Sequence, residues 1–239
     1  MNKITIGIAL IGVMLLSALT LSYSSREKEL TQGAKSSLPG VSQSGYVVDE
    51  SDMLNEQALI GGIEKTKLTV QESDGLLRMR EEEKLAHDVY TTLGAKWGVR
   101  IFSNIASSEQ THADAMKVLL ERYAIPDPVM NDSVGVFRSP VMQQLYNDLV
   151  AKGNTSVTEA LIVGATVEDL DIRDLDVLMK ETTKEDILVT YRNLQKGSRN
   201  HLRAFVKNLT MNGVVYTPQY ITQEAYDLII NSSQERGRI

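Results

Sequence analysis

Between about residues 74 and 209 the apolar positions recur at alternating steps of three and four, the spacing that puts side chains on one face of an α-helix. Four stripes of this kind stand out. The first, over about 74–97, runs Met79, Glu83, Ala86, Tyr90, Leu93, Trp97. The second, over 100–123, runs Phe102, Ile105, Glu109, His112, Met116, Leu119, Tyr123. The third, over 156–181, runs Leu161, Ala165, Glu168, Ile172, Leu175, Met179, and the fourth, over 184–209, runs Ile187, Tyr191, Leu194, Ser198, His201, Phe205. Each is apolar except near its middle, where Glu83, then Glu109 with His112, then Glu168, then Ser198 with His201 interrupt it. No Lys or Arg lies in the stripes to neutralise the carboxylates.

The residues between the stripes set the order of elements. Gly94 and Gly98 mark a tight turn after the first helix, and Pro126 and Pro128 end the first hairpin. A longer connection follows, with a short helix expected over 139–151. Thr183 with Asp186 resembles a capping box opening the fourth helix. A tail containing Pro218 and a short helix over 223–230 is expected to pack on the outside. The pattern predicts an all-α protein: an antiparallel four-helix bundle over 74–212, with a long crossover between the second and third helices and a C-terminal tail over 213–239.

The stretch before the bundle reads differently. Residues 25–73 are expected to be a mostly flexible linker, holding at most one short helix over 53–60. Residues 4–22 carry no charge and follow Lys3, so residues 1–24 read as a signal peptide or a membrane anchor. The bundle is therefore expected outside the cytoplasm, secreted, or tethered to the membrane through residues 4–22 if they are not cleaved.

A formal net charge of −6 without a basic stripe argues against nucleic acid as a partner. A homodimer is compatible with the pattern. The chain has no Cys, which excludes disulfides, thiolate ligands and cysteine nucleophiles, so any transition-metal site must be built from Glu, Asp and His.

The interrupting residues also fall at matched levels. Two residues of an antiparallel hairpin face each other when the turn lies midway between them. The midpoint of Glu83 and Glu109 is residue 96, inside the Gly94–Gly98 turn, and that of Glu168 and His201 is 184.5, at the second turn. The same test excludes Glu72, and Glu159 lies off its stripe. Three buried carboxylates need cations or protons, and oxygen with imidazole ligands suits iron or manganese. Glu109 and His112, three residues apart, reach one neighbour from one face. The candidate ligands are thus Glu83, Glu109, His112, Glu168 and His201, with Asp171, Ser198 and Tyr90 as auxiliaries. Tyr90 is otherwise a core residue, His87 lies off the stripe, and Glu81 and Glu82 read as a solvated face.

The stretches "REEEKLAHDVY", "IFSNIASSEQTHADAM", "VEDLDI" and "GSRNHLRAF" resemble the ferritin-like family DUF2202 over about residues 74–220. The resemblance implies a ferritin-like, diiron-type bundle, which takes a Glu from each of two helices and a Glu-x-x-His from each of the others. Glu83 followed by Tyr90, Glu109-x-x-His112 and Glu168 match that pattern. The fourth helix departs from it, with Ser198-x-x-His201 where Glu-x-x-His is expected. Asp171, or a water held by Ser198, would complete the shell, and charge leaves one or two ions equally tolerable.

The expected function is a metal-binding bundle outside the cytoplasm, holding one or two iron or manganese ions and redox-active towards oxygen or peroxide. If it is an enzyme it is a metal-dependent oxidoreductase, and the residues name no substrate. The alternative is a non-catalytic bundle with a degenerate metal site, its Glu and His hydrogen-bonded to one another, acting as an interaction or envelope module.

Overall fold

The computed structural model describes residues 56–237, and every regular element among them is helical. In chain order these are α1 (Glu56–Gly61), α2 (Val70–Trp97), α3 (Arg100–Tyr123), α4 (Pro140–Gly153), α5 (Val157–Lys180), α6 (Glu185–Met211) and α7 (Gln223–Asn231). The charge-free run at 4–22 and most of the expected linker lie outside the described residues. No helix among the described residues is long and apolar enough to cross a membrane.

The ends of the elements follow from local chemistry. Thr69 Oγ1 accepts from the Glu72 amide at 3.1 Å and Glu72 Oε2 accepts from the Thr69 amide at 2.8 Å, a reciprocal cap that starts α2 at Val70, ahead of the periodic stripe. Gly98 ends α2 in the left-handed region at φ 67° and donates its N–H to Gly94 O. Ser139 caps α4, whose first residue is Pro140, and Ser156 caps α5. The box expected at Thr183 and Asp186 does not form. Lys184 stands at the cap of α6 without a side-chain bond to the helix's free amides, and Asp186 turns inward to accept from Arg122 Nε at 2.8 Å and Tyr123 Oη at 2.7 Å. An ion pair across two helices wins over a local cap.

α2 and α3 form one hairpin, and α5 and α6 the other. α2 packs on α5 and α3 on α6, so the four long helices make a square in which each has two long neighbours. α4 lies across α2 and α5, roofing the cleft between them, and α7 packs on α6. The C-terminal segment is tied down by Asp169, fully buried, which accepts from Tyr216 Oη at 2.9 Å and from the amides of Gln219, Tyr220 and Ile221 at 2.5, 3.2 and 2.9 Å.

The interior holds two apolar clusters. One is built around Tyr90, Leu93, Phe102, Leu161 and Phe205, the other around Leu76, Met79, Met116, Leu175 and Leu194. The polar interruptions of the four stripes lie between them, in a belt across the middle of the bundle.

Candidate metal centre

α2 brings Glu83 to the belt, α3 brings Glu109 and His112, α5 brings Glu168, and α6 brings His201. All five are buried, none more than 2% exposed. His112 Nδ1 lies 2.8 Å from Glu109 Oε2 and 3.3 Å from Glu83 Oε2. His201 Nδ1 lies 2.8 Å from Glu109 Oε1 and 3.5 Å from Glu168 Oε2. Two triads result, Glu83–Glu109–His112 and Glu109–Glu168–His201, each with one ligand atom per residue within 4.8 Å of the others. Glu109 belongs to both, presenting one oxygen to each. The imidazoles stack with centroids 5.6 Å apart.

These short separations are not ordinary hydrogen bonds. His112 Nδ1, His201 Nδ1, Glu83 Oε1 and Glu109 Oε1 are buried with no partner in hydrogen-bonding geometry. A buried polar atom without a partner is costly, and several such atoms converging on common points could hold a shared cation. The donor set fits iron or manganese, being carboxylate and imidazole throughout.

The electrostatics point the same way. Burial pushes the Glu83 carboxyl up to about 7 against the pull of His112, and burial together with Glu109 pushes Glu168 up to about 7. Burial also works on Glu109, but His201 and His112 outweigh it and hold its carboxyl well below the usual range. Burial disfavours a charged ring at both histidines, yet the facing carboxylates prevail. His201 rises to about 9, driven by Glu109 and Glu168, and His112 rises well above its ordinary value. Cations are wanted here, and without a metal the protons supply them.

The residues around the triads fix their orientation. Tyr90 Oη donates to Glu168 Oε1 at 2.5 Å, so this core tyrosine also holds a carboxylate. Ser108 Oγ lies 3.0 Å from His201 Nε2, which leaves Nδ1 facing the carboxylates. Gly197 leaves room for His112: a Cβ there would stand 2.5 Å from the ring's Nε2 and Cε1. Neither Ser108 nor Gly197 carries a sequence signal of its own, since each matters only through a ring on another helix.

Ser198 holds no position in either triad. Its hydroxyl donates to Asp171 Oδ2 at 2.5 Å and to Leu194 O at 3.0 Å. Asp171 stays outside both triads too, one turn along α5 from Glu168. Burial, with Glu83 close by, pushes its carboxyl well above the usual range, so Asp171 is a fourth acid beside the belt. Glu72 is remote from the belt, where Thr182 and Lys184 engage it. His87 bonds Asp88 at 2.8 Å, away from the triads. Glu82 is not on a solvated face. Its side chain is 10% exposed and pairs with Arg78 at 2.8 Å. Burial, opposed by Arg78 and aided by Asp174, pushes it up to about 8.

Comparison with known proteins places this arrangement in a lineage. The uncharacterized protein MJ0754 of Methanocaldococcus jannaschii is 58% identical over 178 residues, covering 74% of this chain and 96% of that protein. The crystal structure of the hypothetical protein MJ0754 from Methanococcus jannaschii is similar with a TM-score of 0.72 and 57% identity, over 73% of this chain and 99% of the other. A family model described as an uncharacterized protein domain, DUF2202, matches residues 72–233, a span that includes both triads. The chain belongs to the DUF2202 family.

Proposed function

We propose that this chain is a ferritin-like metal protein holding two iron or manganese ions in its core. Glu83, Glu109 and His112 would hold one ion and Glu109, Glu168 and His201 the other, with Glu109 common to both sets. The observation that carries the reading is the division of Glu109: its two oxygens face different imidazoles, each 2.8 Å away, without hydrogen-bonding geometry at either. Two divalent ions against three carboxylates leave one positive charge, which Asp171 can balance once ionised.

Bound there, the metal would supply redox chemistry towards oxygen or peroxide. The chain's own residues do the rest. Tyr90 and Ser108 orient Glu168 and His201, the two apolar clusters exclude water from either end of the belt, and Ser198 holds Asp171 in place beside the centre. We assign the chain to the outside of the cytoplasm, exported or tethered through residues 4–22.

The test is elemental analysis of protein purified without chelator. About two ions of iron or manganese per chain are expected, and Glu109→Gln should lose more metal than Glu83→Gln or Glu168→Gln. A chain that holds no metal, and takes none up from ferrous or manganous salt, would overturn the reading in favour of a hydrogen-bonded polar core.

A further inference from the structure

Beneath α4, between α2 and α5, lies a cavity of about 950 Å³. We infer that it seats an apolar organic substrate carrying no negative charge, with one end of that molecule against the carboxylates of the belt. The chemistry at the belt rests on the reading above; the binding does not.

Its floor comes first. Glu83, Glu109, Glu168 and Asp171 line the cavity, whereas His112 and His201 do not. The imidazoles therefore stand behind the carboxylates, and the accessible side of both triads is the side facing the cavity. A molecule in this space would meet the centre directly.

Size and walls give the class of molecule. Oxygen or peroxide needs little more room than a water, about 30 Å³ in the liquid, so the cavity far exceeds what those oxidants require. Its volume lies in the range of organic ligand pockets, which are apolar with a few polar groups at one end. The wall residues Leu85, Met142, Leu145, Leu149, Val167 and Leu178 keep 3–8% exposure, while Leu76, Met79 and Leu93, packed elsewhere in the core, have none. Along α2 the lining runs from Gln71 to Ala86, roughly 22 Å of helix, so the space is long as well as large. The wall residue Thr166, two positions before the floor's Glu168, already donates to Ile162 O at 2.8 Å and accepts from Gln219 Nε2 at 3.0 Å.

The mouth sets the charge. Its exposed acidic lining residues are Asp74 and Glu181, with Glu81 half-buried nearby, and Arg78 is the one basic residue among the described lining residues. Arg78 is already paired with Glu82 and Asp174. An anionic head group would find no free cation there, and the exposed carboxylates of Asp74 and Glu181 would repel it.

The experiment titrates the full chain, metal-loaded and chelator-stripped, with the neutral fluorophore N-phenyl-naphthylamine and with its sulfonated counterpart, anilinonaphthalene sulfonate. The neutral probe should bind one per chain in both preparations, and the sulfonate about tenfold more weakly or worse. Leu145→Trp, which fills the cavity from α4, should abolish probe binding while helix content is retained. The double change Glu81→Lys with Glu181→Lys, at partly exposed positions that do not threaten the fold, should narrow the gap between the two probes. Failure of the neutral probe to bind, equal binding of both probes, or a gap that the lysine pair leaves unchanged would overturn the inference. A chain that takes up no iron or manganese yet binds the neutral probe would sink the metal reading alone, and a metal-loaded chain that ignores the probe would sink this inference alone.

Discussion

At the scale of single residues, a carboxylate or imidazole in the middle of an apolar stripe is costly to bury and demands a partner. Glu83, Glu109, His112, Glu168 and His201 meet in one buried belt, as the hairpin midpoints require. Ser198 was legible only as a departure: what its hydroxyl does depends on Asp171 from another helix. Protonation gives a sharp test of what the belt is for. Between their ordinary values near 4.5 and about 7, Glu83 and Glu168 keep protons in the folded chain that the unfolded chain has released. His201 does the same from its ordinary 6.5 up to about 9. Across this window the folded state binds more protons, so metal-free stability should fall as pH rises from 5 to 9, by several kcal/mol in order of magnitude. Glu109, held low, acts oppositely, but only below its ordinary value. Metal bound in the belt would reverse the trend, because it would displace those protons and bind more tightly as pH rises. Thermal midpoints measured from pH 5 to 9 should thus descend for the stripped protein and climb for the loaded one. Parallel descent would mean that no metal uses the belt.

At the scale of elements, periodicity located the four long helices, while their ends depended on caps. The start of α2 lay ahead of the stripe because Thr69 and Glu72 bond each other, a signal carried by two residues and not by hydrophobic spacing. The false cap at Thr183 and Asp186 has the right residue types, but Arg122 and Tyr123 claim the aspartate from α3. The contact between α6 and α3 is closer than any stripe could show. Gly197→Ala would place a methyl 2.5 Å from the His112 ring and force it away from Glu83 and Glu109. The expected result is a destabilisation of about 1–3 kcal/mol together with lower metal content than wild type. Full metal occupancy in that variant would show that the His112 ring is not needed where it stands.

At the scale of the whole molecule, the crossover was visible in the sequence but the place of α4 was not. A connection's length says nothing about which cleft its helix will cover, and here α4 closes the space between α2 and α5. The C-terminal segment is likewise held by one buried acid that no pattern marked. Asp169→Asn keeps the shape but sets an NH₂ either where Oδ2 accepts from the Tyr216 hydroxyl and the Gln219 and Tyr220 amides, or where Oδ1 accepts from the Ile221 amide. A loss of about 3 kcal/mol is expected, read as a lower thermal midpoint with earlier protease cutting within residues 213–222. The sharing of Glu109 between two triads also bears on assembly. Glu83, Glu109 and His112 come from a single hairpin, α2 with α3, whereas Glu109, Glu168 and His201 come from both. Local pairings form sooner than distant ones, because closing a short stretch of chain loses less entropy. The first triad can therefore exist while α5 and α6 are still being synthesised, and the second exists only once the hairpins have docked. On the proposed reading, loading would then be sequential by construction: one ion could bind a half-made protein, and the other would report that the chain is complete.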